Sequence, residues 1–257
     1  MEISLAGRRS LVCGATQGIG YGIAQSFAQA GSEVILSGRS ESRLQKAVET
    51  LPGEGHQWIL LDQADNEALP EAIGTIQKLD VDILVNNTGG PEPGLASEET
   101  WENFEKALRQ HLRFSQELVL AVLPHMKEKG FGRIINIIST SVKIPIYGLG
   151  VSNTVRGAMA SWAKTLSLEI ASAGITVNNI LPGFIKTGRL EQIIQNTSEK
   201  QGVSTKVVEE QMKRTVPSGE FGTPEDLACL ATFLASEKAR YINGTNIPVD
   251  GGKTGSL

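Results

Sequence analysis

The sequence is poor in the features that mark several classes of protein. It has two cysteines in 257 residues, Cys13 and Cys229, and neither has a partner at metal-ligand spacing. That excludes a disulfide-stapled scaffold and points to no metal site. Both read as small buried residues in a reduced compartment. No apolar run reaches the length of about eighteen residues that a spanning helix needs. The start, Met1-Glu2-Ile3-Ser4-Leu5, lacks a basic segment and a long apolar stretch, so no signal peptide and a cytoplasmic location are expected. No lysine/arginine run occurs and the net charge is -4, which argues against a nucleic-acid or membrane partner. No repeat, low-complexity segment or linker divides the chain, so one domain is expected.

What the chain does have is alternation. Short apolar runs at Arg9–Cys13, Glu33–Ser37, His56–Leu61, Val81–Val85, Arg133–Ile138, Ile175–Ile180 and Asn246–Val249 read as strands. Helical patterns separate them, at Ile19–Ala30, Glu41–Leu51, Asn66–Lys78, Ser97–Lys129 and Ser152–Ala173. The long pattern carries one apolar stripe, from Trp101 and Phe104 through Leu118 to Met126. Thr223-Pro224-Glu225-Asp226 opens a last helix with a threonine cap, proline at the first helical position and acids in the first turn. The order predicts an α/β fold: a Rossmann-type, doubly wound, seven-stranded parallel sheet with helices on both faces. Gly188 to Ser218 is a polar excursion between strands with two weak helical patterns, and it reads as a lid.

The first strand runs into Gly14-Ala15-Thr16-Gln17-Gly18-Ile19-Gly20 and then into a helix. Glycines there let the backbone approach a pyrophosphate, and the helix start offers free N–H groups to it. The second strand ends in Ser37-Gly38-Arg39-Ser40, with no acid to hold a ribose 2′-hydroxyl. Arg39 can instead pair with a 2′-phosphate, so NADP(H) is expected over NAD(H).

Further pieces follow: Asp62, Asn86-Asn87-Thr88-Gly89, a strand ending on Ser139, Pro182-Gly183 with Thr187, Gly222-Thr223-Pro224, and Asp250-Gly251-Gly252. Together they resemble the short-chain dehydrogenases/reductases, in particular the 3-oxoacyl-[acyl-carrier-protein] reductase branch, over essentially the whole chain. The resemblance implies roles. Gly14, Thr16, Gln17, Gly18, Ile19, Gly20 and Arg39 would hold phosphates and ribose, and Asp62 would touch adenine. Asn86 and Gly89 would line the ribose side, and Thr187, after Pro182 and Gly183, would hold the nicotinamide end. A small-molecule substrate, acidic or a thioester, and a homotetramer are implied as well.

The resemblance breaks at the catalytic tetrad of Asn, Ser, Tyr and Lys. Ser139 keeps the serine. Counting on from it puts Ser152 at the tyrosine and Arg156 at the lysine, and counting back from Gly132-Arg133 puts His111 at the asparagine. A tyrosine with pKa ~10, lowered by an ammonium, can protonate a reduced carbonyl oxygen; a serine hydroxyl is far too weak an acid. Arg156 stays charged and cannot shuttle protons, although it can bond a ribose or clamp an anion. Two residues could stand in as proton donor. Tyr147 lies in a glycine-rich loop, where packing on the lid is the plainer reading. His111 has a suitable pKa, with a buried structural histidine as the alternative. Three functions remain open: an NADP(H)-dependent oxidoreductase on a carbonyl or alcohol, a catalytically silent dinucleotide-binding sensor or partner subunit, and a non-redox reaction on the same scaffold.

Overall fold

The computed structural model describes residues 3–65 and 67–256. Seven strands lie in one parallel sheet in the order β3-β2-β1-β4-β5-β6-β7. They are β1 Arg9–Val12, β2 Glu33–Gly38, β3 Gln57–Leu60, β4 Ile83–Asn87, β5 Gly132–Ile137, β6 Ile175–Pro182 and β7 Asn246–Val249. The helices are α1 Gly18–Gln29, α2 Glu41–Glu49, α3 Leu69–Ile76, α4 Trp101–Leu108, α5 Phe114–Lys129, α6 Gly150–Glu169, α7 Gly188–Gln201, α8 Thr205–Arg214 and α9 Pro224–Ala235. Asn66, expected to start the third helix, lies outside the described residues.

Strand side chains alternate between two apolar layers, as a sheet buried on both faces requires. Val12, Leu36, Val85 and Ile135 pack under α1, α2 and α9. Leu11, Ile35, Leu84 and Ile134 pack under α3, α5 and α6. Strand order reverses between β1 and β4, and a crevice opens at their carboxyl ends, where such sheets bind ligands.

Three expectations are corrected. The helix expected from Ser97 to Lys129 begins only at Trp101, with Thr100 extended at its N-cap. A π-helical turn, Arg109–Arg113, interrupts it, because one widened turn leaves the apolar stripe intact and so leaves no trace in the sequence. Cys13 is buried but Cys229 is exposed. On α9 the stripe Leu227, Ala228, Ala231 and Leu234 enters the core, which turns residue 229 outward.

One polar feature crosses the core. Asn86, Asn136, Asn179 and Asn246 stand in register on β4, β5, β6 and β7. Each side-chain amide donates to the next carbonyl oxygen, at 2.8, 2.8 and 2.7 Å. The chain of amides satisfies groups that would be costly if left alone, and it pins the register of four strands. It ends on Asn86 Oδ1, which is buried without a partner among the described residues.

Candidate active site

The glycine turn is fixed by space as much as by backbone angle. Gly14 and Gly18 have φ of +59°. A Cβ on Gly14 would lie 2.8 Å from the Asn87 carbonyl oxygen, and one on Gly20 would lie 2.4 Å from that of Gly14. Asn87 Nδ2 donates to the carbonyls of Cys13 and Gly14, at 3.2 and 3.3 Å, and ties the turn to the end of β4. Gln17 caps α1 without a side-chain hydrogen bond, so no cap side chain occupies the first N–H groups of the helix. The thiol of Cys13, beneath this turn, is pushed up to about 12 by burial and is inert.

In front of the turn lies a cleft of about 730 Å³, lined among others by Gly14, Thr16, Gln17, Arg39, Asp62 and Gly89. Six residues expected at a cofactor thus meet in one place. Gly18, Ile19 and Gly20 form the start of α1. Thr187 reaches the turn from the far side: a Cβ on Gly18 would lie 3.3 Å from its methyl group. Pro182 ends β6, and Gly183 packs on Asp250 so closely that a Cβ would lie 2.7 Å from the Asp250 Cα. Asn86 is turned into the amide chain rather than the cleft. Asn87 and Arg189 border the cleft without having been expected there. Asn87 stands beside the expected Asn86, and Arg189 sits inside the polar excursion.

The second set of residues gathers at the ends of β4 and β5. Arg156 is buried; its Nη1 donates to the Ile137 carbonyl at 3.3 Å and its Nη2 to that of Thr88 at 3.2 Å. The Thr88 hydroxyl is hydrogen-bonded to His111 Nδ1. Arg156, Thr88 and His111 therefore form one knot across two strand ends and the π-helical turn. Burial, and then the neighbouring Arg156 charge, push His111 down to about 2, so its ring is neutral near neutral pH. Burial lowers Arg156 to about 10, which leaves it charged. His111 Nε2 is buried without a partner among the described residues.

Ser139 is half-buried at the end of β5. Its Oγ accepts the Ser141 N–H at 3.0 Å, which leaves its own O–H free to donate to a substrate oxygen. Ser152 is half-buried in the first turn of α6. Tyr147 is 90% exposed. Asn153 holds the loop next to it, donating to the Ile146 carbonyl at 2.8 Å and accepting the Ile146 N–H at 3.3 Å. Among the described residues no group of three or more His, Cys, Asp or Glu could hold a metal, and no helix is long and apolar enough to cross a membrane.

A family model described as enoyl-(acyl carrier protein) reductase matches residues 14–254. The chain belongs to the short-chain dehydrogenase/reductase family. It is 36% identical over 253 residues to the 3-oxoacyl-[acyl-carrier-protein] reductase FabG of Rickettsia conorii, covering 97% of this chain and 98% of that one. It is 30% identical over 256 residues to the NADPH-dependent reductase BacG of Bacillus subtilis, covering 97% and 99%. Among solved structures, L-sorbose reductase from Gluconobacter frateurii, complexed with NADPH and L-sorbose, superposes with a TM-score of 0.94 at 28% identity, covering 100% of both chains. The sheet order of this family member is the doubly wound arrangement expected from its sequence.

Proposed function

We propose that this family member is an NADP(H)-dependent oxidoreductase acting on a small carbonyl or alcohol, with water in place of the phenol as proton source. The observation that carries the reading is the glycine turn, whose sterically locked backbone and open helix start border the same cleft as Arg39. NADPH supplies a hydride when bound. Arg39 would pair with the 2′-phosphate, the start of α1 would face the pyrophosphate, and Thr187 would hold the nicotinamide end. The relatives named as NADPH-dependent or complexed with NADPH support the same choice.

Ser139 would donate a hydrogen bond to the substrate oxygen. As the carbonyl carbon gains the hydride, its oxygen takes a proton from water, and buffer neutralises the hydroxide left behind. Ser152 is too weak an acid for this step, and the neutral, buried His111 holds no spare proton. Arg156 bonds two main-chain carbonyls and acts as a brace, so the non-redox reading with an acidic substrate gains nothing from it. The residues at 188–218 would be the substrate lid. Exposed Trp101 on α4, Leu120 on α5 and Leu168 on α6 support pairing of copies into a homotetramer.

The inward turn of Arg156 and the exposure of Tyr147 favour a second reading, a cofactor-binding protein without turnover. A fluorescence titration with NADPH and NADH, followed by a carbonyl panel, separates the two. The first reading expects NADPH to bind at least roughly tenfold tighter than NADH. It also expects turnover on at least one substrate, lost in Ser139→Ala. Tight NADPH binding with no turnover on any substrate selects the silent reading. Binding of neither cofactor overturns both.

A further inference from the structure

The loop between β5 and α6 is held at both ends and in the middle. It leaves Ser139 through a tight turn: the Ser139 carbonyl accepts the Val142 N–H at 3.2 Å, and the Thr140 carbonyl accepts those of Lys143 and Ile144 at 2.9 and 3.3 Å. It ends at Gly150, where α6 begins, and the next residue, Val151, lines the cleft in front of the glycine turn. Between these ends Asn153 holds Ile146, accepting its N–H at 3.3 Å and donating to its carbonyl at 2.8 Å. The loop is also stitched to the segment after β4. Gly94 N–H donates to the Gly148 carbonyl at 2.8 Å, and Gly150 N–H to that of Gly94 at 2.9 Å. The join is close, since a Cβ on Gly150 would lie 2.6 Å from the Ala96 Cα. The same segment brings Pro91 and Glu92 to the cleft.

A main chain fixed at so many points loses conformational entropy, and buried side chains ordinarily offset that loss. Here they do not. Ile144 is 46% exposed and Ile146 40%, and neither belongs to an apolar cluster of the core among the described residues. The pair stands on a loop bracketed by Ser139, whose O–H is free for a substrate oxygen, and by the cleft. An anchored apolar surface in that position is placed for the part of a substrate that adjoins its carbonyl. We propose that Ile144 and Ile146 are specificity-determining residues, a shelf for a hydrocarbon substituent, and that Asn153 is the positioning residue that holds the shelf. The substrate class is then a carbonyl compound carrying an alkyl or ring group rather than a polyhydroxylated one. The inference rests on the oxidoreductase reading above.

The test is turnover of butan-2-one, hexan-2-one and octan-2-one with NADPH, beside fructose as a polyhydroxylated ketone. In wild type, kcat/KM should rise roughly twofold to fourfold per methylene as hydrocarbon is buried on the shelf. In the double variant Ile144→Ser/Ile146→Ser the rise should fall below about 1.5-fold per methylene, with NADPH affinity retained in a fluorescence titration. Asn153→Ala should raise KM for octan-2-one roughly tenfold and that for butan-2-one much less, with kcat moving less than KM. A merely structural loss would move both ketones alike. Turnover in wild type that ignores chain length, or that is faster on fructose, overturns the shelf and leaves the oxidoreductase reading standing. An unchanged slope in the double variant also overturns it. So does a lower oligomeric mass of that variant by light scattering, because the two residues then cover a contact between copies. Turnover of none of the ketones overturns the oxidoreductase reading and the shelf with it.

Discussion

The glycine turn at the end of β1 and the corner formed by His111, Ser139, Ser152 and Arg156 lie on the same edge of one sheet, and they differ in what holds them. The turn is specified by the absence of side chains, and two of its contacts leave no room for a methyl group. The corner is specified by side-chain identity, and under the proposed reading three of the four tetrad positions carry different residues. A backbone device tolerates almost no substitution, whereas a side-chain device can be rebuilt around new hydrogen bonds without disturbing the sheet. In that corner a cation and a neutral histidine are locked to strand ends, where their hydrogen bonds support structure.

The sharpest way to break this contrast is Gly20→Ala. Its Cβ would lie 2.4 Å from the Gly14 carbonyl oxygen and 2.7 Å from Asn87 Nδ2, and backbone cannot yield as a flexible side chain does. NADPH affinity is expected to fall about a hundredfold, with the far-UV circular dichroism of the sheet retained. Unchanged affinity would mean that the turn is not the cofactor site.

A smaller effect should come from the corner. His111 is 1% exposed and pushed down to about 2, whereas an unfolded-state histidine titrates near 6.5. Below pH ~6.5 the unfolded chain takes up a proton that the folded chain refuses. The stability is complete above that pH and is lost as pH falls, by about 1.4 kcal/mol per pH unit for this group. His111→Asn removes the titration while keeping a polar partner for Thr88. Urea midpoints at pH 7.5, 6 and 5 should therefore fall less steeply in the variant than in wild type. Parallel curves would show that His111 is not held neutral by burial.

The two regions also differ in how far the sequence reveals them. The glycine turn, Arg39 and Asp62 could be read because each follows a strand whose apolar run is visible, and local order alone brings them to the sheet edge. Ser139, Ser152 and Arg156 could be placed by counting, but the direction of Arg156 could not. Its partners are carbonyls of Thr88 and Ile137, and every carbonyl looks alike in a sequence. The amide chain from Asn86 to Asn246 was equally hidden, since it depends on the register of four strands far apart in sequence. The π-helical turn at Arg109–Arg113 was masked by an apolar stripe that continues through it. What sequence periodicity conveys is which face a residue takes, and the corner depends on which atom it touches.

Tyr147→Phe is expected to do least, and it bears most directly on whether the corner lacks a phenol. The ring is 90% exposed, and Asn153 holds the preceding residue at both its N–H and its carbonyl. Two hydrogen bonds worth about 1 kcal/mol each are a low barrier to a loop that closes on substrate. With water as the proton source, removing the phenol oxygen should leave turnover on the best carbonyl within about twofold, since an exposed hydroxyl contributes little to the folded state. A fall of roughly a hundredfold or more with unchanged NADPH affinity would be a general-acid effect. The loop from Ile144 to Gly150 would then deliver a tyrosine from a new place in the chain, and the difference between the two regions would lie in the route to the phenol rather than in its loss.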